Sequence, residues 1–338
     1  MKATLYQGNH SFTVEEKEKV APESDEVRIK VAYCGVCGTD VHIYHGVMDK
    51  RVKMPLTIGH EMSGTIDAIG SNVKGFTIGE KVVVRPLDNR GEKESDKGFS
   101  HICEDLKFIG IDSPGAMQQY WNVPAFTLHK LSHTTDLKLA ALTEPLSVAC
   151  HDVRMSGLSK GETAVVLGGG PIGMLVAMVA KEAGGNVIIS EVNPTRITLA
   201  KQLGFDAVSP IDTELVSYIK GKTENRLADV VFEVAGVQAT VDTMTEIAGI
   251  RGRIVMVAIH GEPRPVDLFK FFWKELKLIG ARVYEKEDYE KAIQLITKNE
   301  LSFEQMITAV EPLDKVQEVF ENIDKNPDGM KVLLDCQS

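Results

Sequence analysis

Over roughly the first 145 residues, apolar positions alternate with polar ones in short runs that Gly and Pro interrupt, as in Val27-Arg28-Ile29-Lys30-Val31 and Lys81-Val82-Val83-Val84. A period of two with turn-forming breaks predicts half-buried β-strands, so residues 1–145 read as a β-rich domain. From about residue 163 the texture changes. Wholly apolar runs now alternate with helical periods, which predicts βαβ units on a parallel sheet. Strands are predicted at 163–167, 186–190, 229–234, 252–258 and 276–281. The helix 171–183 opens on Pro171, at the position where a missing N–H costs nothing. The fold class is therefore α/β, with a doubly wound parallel sheet over 146–285 beside the β-rich domain. After Arg282 two amphipathic helices, 288–297 and 313–323, precede a strand at 331–334, and 286–338 is expected to rejoin the first domain. The polar run 88–97 is expected to be a surface loop.

A chain of 338 residues, 43% hydrophobic, is long enough for two ordinary cores. The net charge of -10, with lysines and arginines scattered among acids, argues against nucleic acid as a partner. No apolar run approaches the roughly 20 residues needed to cross a bilayer, so no membrane partner is expected and the chain reads as soluble and cytoplasmic. Cys34, Cys37, Cys103, Cys150 and Cys336 form no framework spacing, as expected where thiols stay reduced.

The run Gly168-Gly169-Gly170-Pro171-Ile172-Gly173 directly follows the apolar strand Ala164-Val165-Val166-Leu167 and opens a helix. Gly168 suits the tight turn, Gly170 lets backbone approach a pyrophosphate, and Gly173 allows close helix packing. The pyrophosphate then sits on the helix N-terminus, where Pro171 and Ile172 begin the first turn. About 20 residues on, Glu191 stands where an acid holds a ribose 2′-hydroxyl, which favours NAD over NADP because a carboxylate repels an added phosphate. Arg196 either stacks on the adenine or faces solvent. A glycine triplet alone also marks plain turns; strand, helix and acid in register point to a dinucleotide. Ala235, before Gly236, and Ala258-Ile259-His260, both at strand ends, are expected to line the nicotinamide and ribose portions of the site.

A second group of residues has metal-ligand chemistry: Cys37, the pair His60-Glu61, and Glu144. Each has a bland alternative, since a buried cysteine is usually a small hydrophobe. Cys34-Gly35-Val36-Cys37 is also compatible with half of a structural zinc site or a redox pair, yet there is no second CxxC and no thioredoxin-like context. Catalytic zinc takes three protein ligands in mixed Cys, His and carboxylate sets and keeps one position open, and Asp40 suits a supporting acceptor for a ligand histidine.

Cys34-Gly35-Val36-Cys37-Gly38-Thr39-Asp40-Val41-His42, Gly59-His60-Glu61 with Gly64, Gly79-Glu80-Lys81-Val82, Glu144-Pro145-Leu146 and the glycine turn resemble, in order, the motifs of the medium-chain zinc-dependent dehydrogenases. The resemblance spans the whole chain and implies a GroES-like catalytic domain joined to a Rossmann domain. It also implies Cys37 and His60 as zinc ligands, with Glu61 ligating or lying just behind the metal. Glu144 stands where alcohol dehydrogenases of the liver type carry a cysteine. A glutamate there is similar to the sorbitol, butanediol and threonine dehydrogenase branch, where it ligates directly or through water. Thr39 resembles the hydroxyl that takes the substrate proton and His42 the imidazole that passes it on, although a threonine also caps turns and an imidazole also satisfies carbonyls.

Family members often carry a second, structural zinc on four cysteines; here the corresponding stretch, Arg85 to Leu106, holds only Cys103, so one zinc per chain is expected. The resemblance implies hydride transfer from a secondary alcohol to NAD. Arg282 resembles the arginine that sorbitol dehydrogenases point at a polyol, or else forms an interdomain ion pair. A sugar alcohol or related polyol is the expected substrate, with vicinal diols, threonine, and a non-catalytic NAD(H)-binding role as alternatives. The family further implies a homodimer or homotetramer, commonly formed by pairing sheet edges, to which 280–284 is apolar enough to contribute.

Overall fold

The computed structural model describes residues 1–338, which fall into two compact units: Met1–Glu144 with Glu285–Ser338, and Pro145–Tyr284.

In the first unit a mixed sheet runs in the spatial order Ile307–Pro312, Lys331–Asp335, Glu26–Gly35, Glu61–Ile69, Lys81–Val84, Leu128–Lys130, and Tyr120–Pro124 pairs off the central strand. The alternation read in the sequence places Val27, Ile29 and Val31 in the core beside Met62, Ile66, Val82, Val84, Trp121 and Leu334. Burying each such side chain contributes roughly 1.5–3 kcal/mol. The indole of Trp121 is buried and donates to the Pro114 carbonyl at 2.8 Å, so its one polar group is satisfied. Pairing register matters most at one end of this sheet. Gly35 sits opposite Glu61 on one side and Leu333 on the other, so the end of one strand and the starts of two others converge there.

The polar run at 88–97 folds back on itself through charge. Arg90 grips Asp88 with two hydrogen bonds, Asp96 accepts from the N–H groups of Lys93 (2.7 Å) and Glu104 (3.2 Å), and the Lys93 ammonium meets Asp105 at 2.6 Å.

The second unit is a six-stranded parallel sheet in the order Asp206–Val208, Asn186–Ser190, Thr163–Leu167, Ala228–Glu233, Ala248–Met256, Lys277–Gly280. Counted along the chain this is the order 3-2-1-4-5-6, with the reversal between Thr163–Leu167 and Ala228–Glu233. The strand Asp206–Val208 was not legible, because three residues with one fully buried apolar side chain, Ala207, carry no period. The strand expected at 252–258 begins earlier, at Ala248, and ends at Met256, with a bulge around Arg251 (φ 57°) where Gly249 and Gly252 pass close to the carbonyls of Arg226 and Ala228. Tyr284 is fully buried, so it does not belong to an exposed sheet edge; exposure is instead concentrated on the helix Leu268–Lys274 and the edge strand beside it in sequence. No helix is long and apolar enough to cross a membrane.

Candidate active site

The converging strand ends of the first unit carry the metal-type residues. Cys37 follows the central strand and precedes the helix Gly38–Tyr44, His60 and Glu61 open the next strand, and ligand atoms of these three lie within 4.8 Å of one another. Gly35 is required here: a Cβ at that position would overlap the Glu61 carboxylate, so only glycine lets the acid lie against the strand. The helix Gly38–Tyr44 is fixed by Asp40, whose Oδ2 accepts the Cys37 N–H at 2.9 Å. The same residue turns Oδ1 toward His60 Nδ1, 3.6 Å away. Phe108 packs edge-on against the His60 ring, with centroids 5.2 Å apart. Thr39 and His42 lie on the same short helix, Thr39 half-buried and His42 exposed. Glu144, buried, lies outside the tight trio but close enough to His60 and Lys331 to favour their charged forms.

Lys331 is the residue that sequence reasoning missed. Its side chain is almost fully buried, its ammonium contacts Glu61 Oε2 at 2.5 Å, and it donates to the Val36 carbonyl at 2.9 Å. Burial alone would strip its proton, but Glu61, Cys37 and Glu144 hold it above the ordinary lysine range. A strand that starts with lysine looks solvent-tipped; only the pairing register shows it entering a buried acidic cluster.

Charge also tests whether a cation fits this place. Burial raises the Asp40 pKa, and His60, which burial would make neutral, is held well above its ordinary value by Asp40, Cys37 and Glu144. Asp40 Oδ1, His60 Nδ1 and Glu61 Oε1 are buried without a hydrogen-bond partner. Three carboxylates and a thiol stand beside the Lys331 ammonium and the His60 imidazole, and sulfur, nitrogen and oxygen donors are offered together. That mixed set fits zinc, and its negative excess fits a divalent cation.

In the second unit the glycine turn joins Thr163–Leu167 to the helix Pro171–Glu182. A Cβ on Gly173 would overlap the Gly168 carbonyl, so the helix can start this close to the strand only with glycine. Gly170 caps the helix without a side chain, and Ile172 and Gly173 precede the first intrahelical bond, from Met174 N–H to the Gly170 carbonyl at 2.9 Å. Their N–H groups point off the helix start, as an anion requires. Glu191, buried at the end of the neighbouring strand, accepts from Gly169 N–H (2.7 Å), Val192 N–H (2.7 Å) and Asn193 N–H (2.8 Å). The Arg196 guanidinium lies beside Gly170. Ala235 packs against Gly168, and Ala258 and Ile259 meet Gly236, so the three loops at the carboxyl ends of the strands abut. Ile259 is exposed, His260 is half-buried, and Arg282 is exposed beyond the last strand.

Comparison with known proteins finds matches in both parts of the chain. Residues 23–133 match the alcohol dehydrogenase GroES-like domain and residues 171–298 the zinc-binding dehydrogenase domain. The chain is 56% identical to a 2-dehydro-3-deoxy-L-galactonate 5-dehydrogenase of Pseudoalteromonas atlantica, over 100% of this chain and 99% of that protein. It is 31% identical to a sorbitol dehydrogenase of Halalkalibacterium halodurans, over 97% and 96%. Among solved structures, a zinc-binding dehydrogenase of Sinorhizobium meliloti bound to NADP superposes with a TM-score of 0.92 at 30% identity, covering 99% of this chain and 98% of that one. The chain is thus a zinc-type alcohol or polyol dehydrogenase, an oxidoreductase belonging to the medium-chain zinc-dependent alcohol dehydrogenase family.

Proposed function

We propose that this enzyme oxidises a secondary hydroxyl of a polyhydroxylated sugar acid, a 2-dehydro-3-deoxy-galactonate at carbon 5, with NAD as hydride acceptor. The observation that carries this choice is the 56% identity, over the full chain, to the Pseudoalteromonas enzyme of that name. It refines the expectation of a polyol, because such an acid keeps a vicinal pair of secondary hydroxyls, at carbons 4 and 5.

Cys37 and His60, with a carboxylate from Glu61 or Glu144, are the residues that would hold one zinc ion per chain. Bound there, zinc supplies a Lewis acid that lowers the pKa of the substrate hydroxyl, and NAD takes the hydride. Asp40 faces His60 Nδ1 across 3.6 Å, a charge contact that favours presenting the other ring nitrogen to the metal. Thr39 receives the hydroxyl proton and His42, exposed on the same helix, hands it to solvent. Lys331 balances Glu61 and keeps the buried cluster from carrying too much negative charge. Glu191 favours NAD, since its carboxylate occupies the place an added 2′-phosphate would need. Arg282 is assigned to the substrate.

A second reading, a sugar alcohol of the sorbitol type, is favoured by Glu144 and by the 31% identical relative. The enzyme is further proposed to be a cytoplasmic homodimer or homotetramer. Leu268, Phe269, Phe272 and Trp273 are 66–78% exposed on one short helix preceding an unpaired sheet edge, a surface suited to a second copy.

NADH formation measured by absorbance with the sugar acid, sorbitol, 2,3-butanediol and threonine, with and without chelator, tests the proposal. Chelator-sensitive turnover that is fastest on the sugar acid is expected. Faster turnover of sorbitol would install the second reading, and chelator-insensitive turnover would remove the zinc assignment.

A further inference from the structure

The strand Ala228–Glu233 ends in a carboxylate that none of the roles above uses. Glu233 is 0% exposed, and a buried charge persists only where it is fully hydrogen-bonded. Oε1 accepts the Gly236 N–H at 2.8 Å and the Thr240 hydroxyl at 2.7 Å, while Oε2 lies 3.0 Å from His260 Nε2. A carboxylate only accepts, so Nε2 is the donor in this contact. The Glu233 backbone carbonyl accepts the N–H groups of both Val257 and Ala258, each at 3.0 Å. One residue thereby ties the turn after its own strand, Ala235-Gly236, to the turn after the next, Ala258-Ile259-His260. The first of these turns also packs on Gly168. The three loops therefore have a common anchor on the side of the sheet reversal away from Glu191.

We infer that Glu233 is a positioning residue that preorganises the two loops receiving the nicotinamide-ribose half of the cofactor, acting through Gly236, Thr240 and His260. The inference rests on the dinucleotide reading. It assigns the two ends of the cofactor to two acids: Glu191 braces the adenosine end and Glu233 the nicotinamide end. Because Glu233 makes no bond to the glycine turn or to the helix Pro171–Glu182, its removal should leave the pyrophosphate and adenosine contacts in place.

The test compares two ligands on the whole enzyme by titration calorimetry: NADH and ADP-ribose, which lacks the nicotinamide. Glu233→Ala is expected to weaken NADH about 10- to 100-fold, the loss that follows when buried donors are left unpaired. ADP-ribose should stay within about threefold of the wild-type value. Glu233→Gln keeps an acceptor for Gly236 and Thr240 and should recover most of the NADH affinity. Thr240→Val, which removes one hydroxyl shared between Glu233 Oε1 and the Val237 carbonyl, gives the same contrast on a smaller scale should the alanine variant fail to fold. Equal losses for both ligands would mean a merely structural acid and would overturn the inference, as would unchanged NADH binding. A wild-type protein that binds ADP-ribose but not NADH would overturn it too, and one that binds neither would remove the dinucleotide reading itself.

Discussion

At the glycine turn of the second unit, the groups offered to a ligand are the backbone N–H donors of Gly170, Ile172 and Gly173, and the turn is braced by the carboxylate of Glu191, which takes the Gly169 N–H. Around Cys37 in the first unit they are buried side chains, brought together by three strand ends and one short helix and held at close quarters by opposed charges. A backbone site tolerates most side-chain changes so long as its glycines remain. A site built from buried charges does not, because each partner removed leaves another uncompensated. The two should therefore fail differently.

Cys37→Ser is the strongest way to break the comparison. Turnover should fall about a thousandfold or more with loss of zinc, since the Lewis acid supplies several kcal/mol of barrier lowering. NADH affinity, measured by fluorescence, should change little. Loss of NADH binding along with the metal would mean that cofactor binding depends on the metal.

Lys331→Met comes next. It leaves Glu61 buried without its ammonium partner, and a loss of about 10- to 100-fold in zinc affinity or activity is expected, the size seen when groups behind metal ligands are removed. Lys331→Arg should restore most of it. A methionine variant with wild-type zinc affinity, read by competition with a chromophoric chelator, would show that Glu61 needs no counter-ion.

In the second unit the proposed role of Glu191 predicts that Glu191→Ala weakens NAD about tenfold in KM and raises the relative use of NADP. Zinc content should be untouched. An unaltered NAD-to-NADP ratio would remove Glu191 from cofactor choice.

The effect with the smallest consequence for function concerns stability. Burial, helped by Arg85 and Lys286, lowers the His129 pKa to about 4. The unfolded imidazole takes a proton below about pH 6.5 while the folded one refuses it until about pH 4, so the unfolded state binds more protons in that window. Stability is then lost as pH falls from about 6.5 to about 4, by at most about 3 kcal/mol from this group. Urea melts at about pH 7 and about pH 4.5 should show a shallower pH dependence for His129→Gln. An identical dependence would assign the acid sensitivity elsewhere.

These differences also explain what could be read from the chain alone. The strands 163–167 and 186–190, the glycine turn and Glu191 are encoded by residues adjacent in sequence, and the structure places them at those residues. Cys37, His60 and Glu61 were legible through residue type and resemblance. Lys331 was not, since 270 residues separate it from Glu61 and only antiparallel and parallel pairing on either side of Lys331–Asp335 sets its depth. Glu233 left a fainter signal, an acid closing the apolar run Val230-Val231-Phe232 where burial is expected. What it holds depends on loops that no local pattern brings together.

Metal analysis of zinc-replete enzyme, paired with NADH titration before and after chelation, tests most directly that one buried metal site and a backbone-built cofactor site share this chain. The account predicts one zinc per chain and NADH affinity that survives its removal; two zinc ions per chain, or NADH binding that vanishes with the metal, would contradict it.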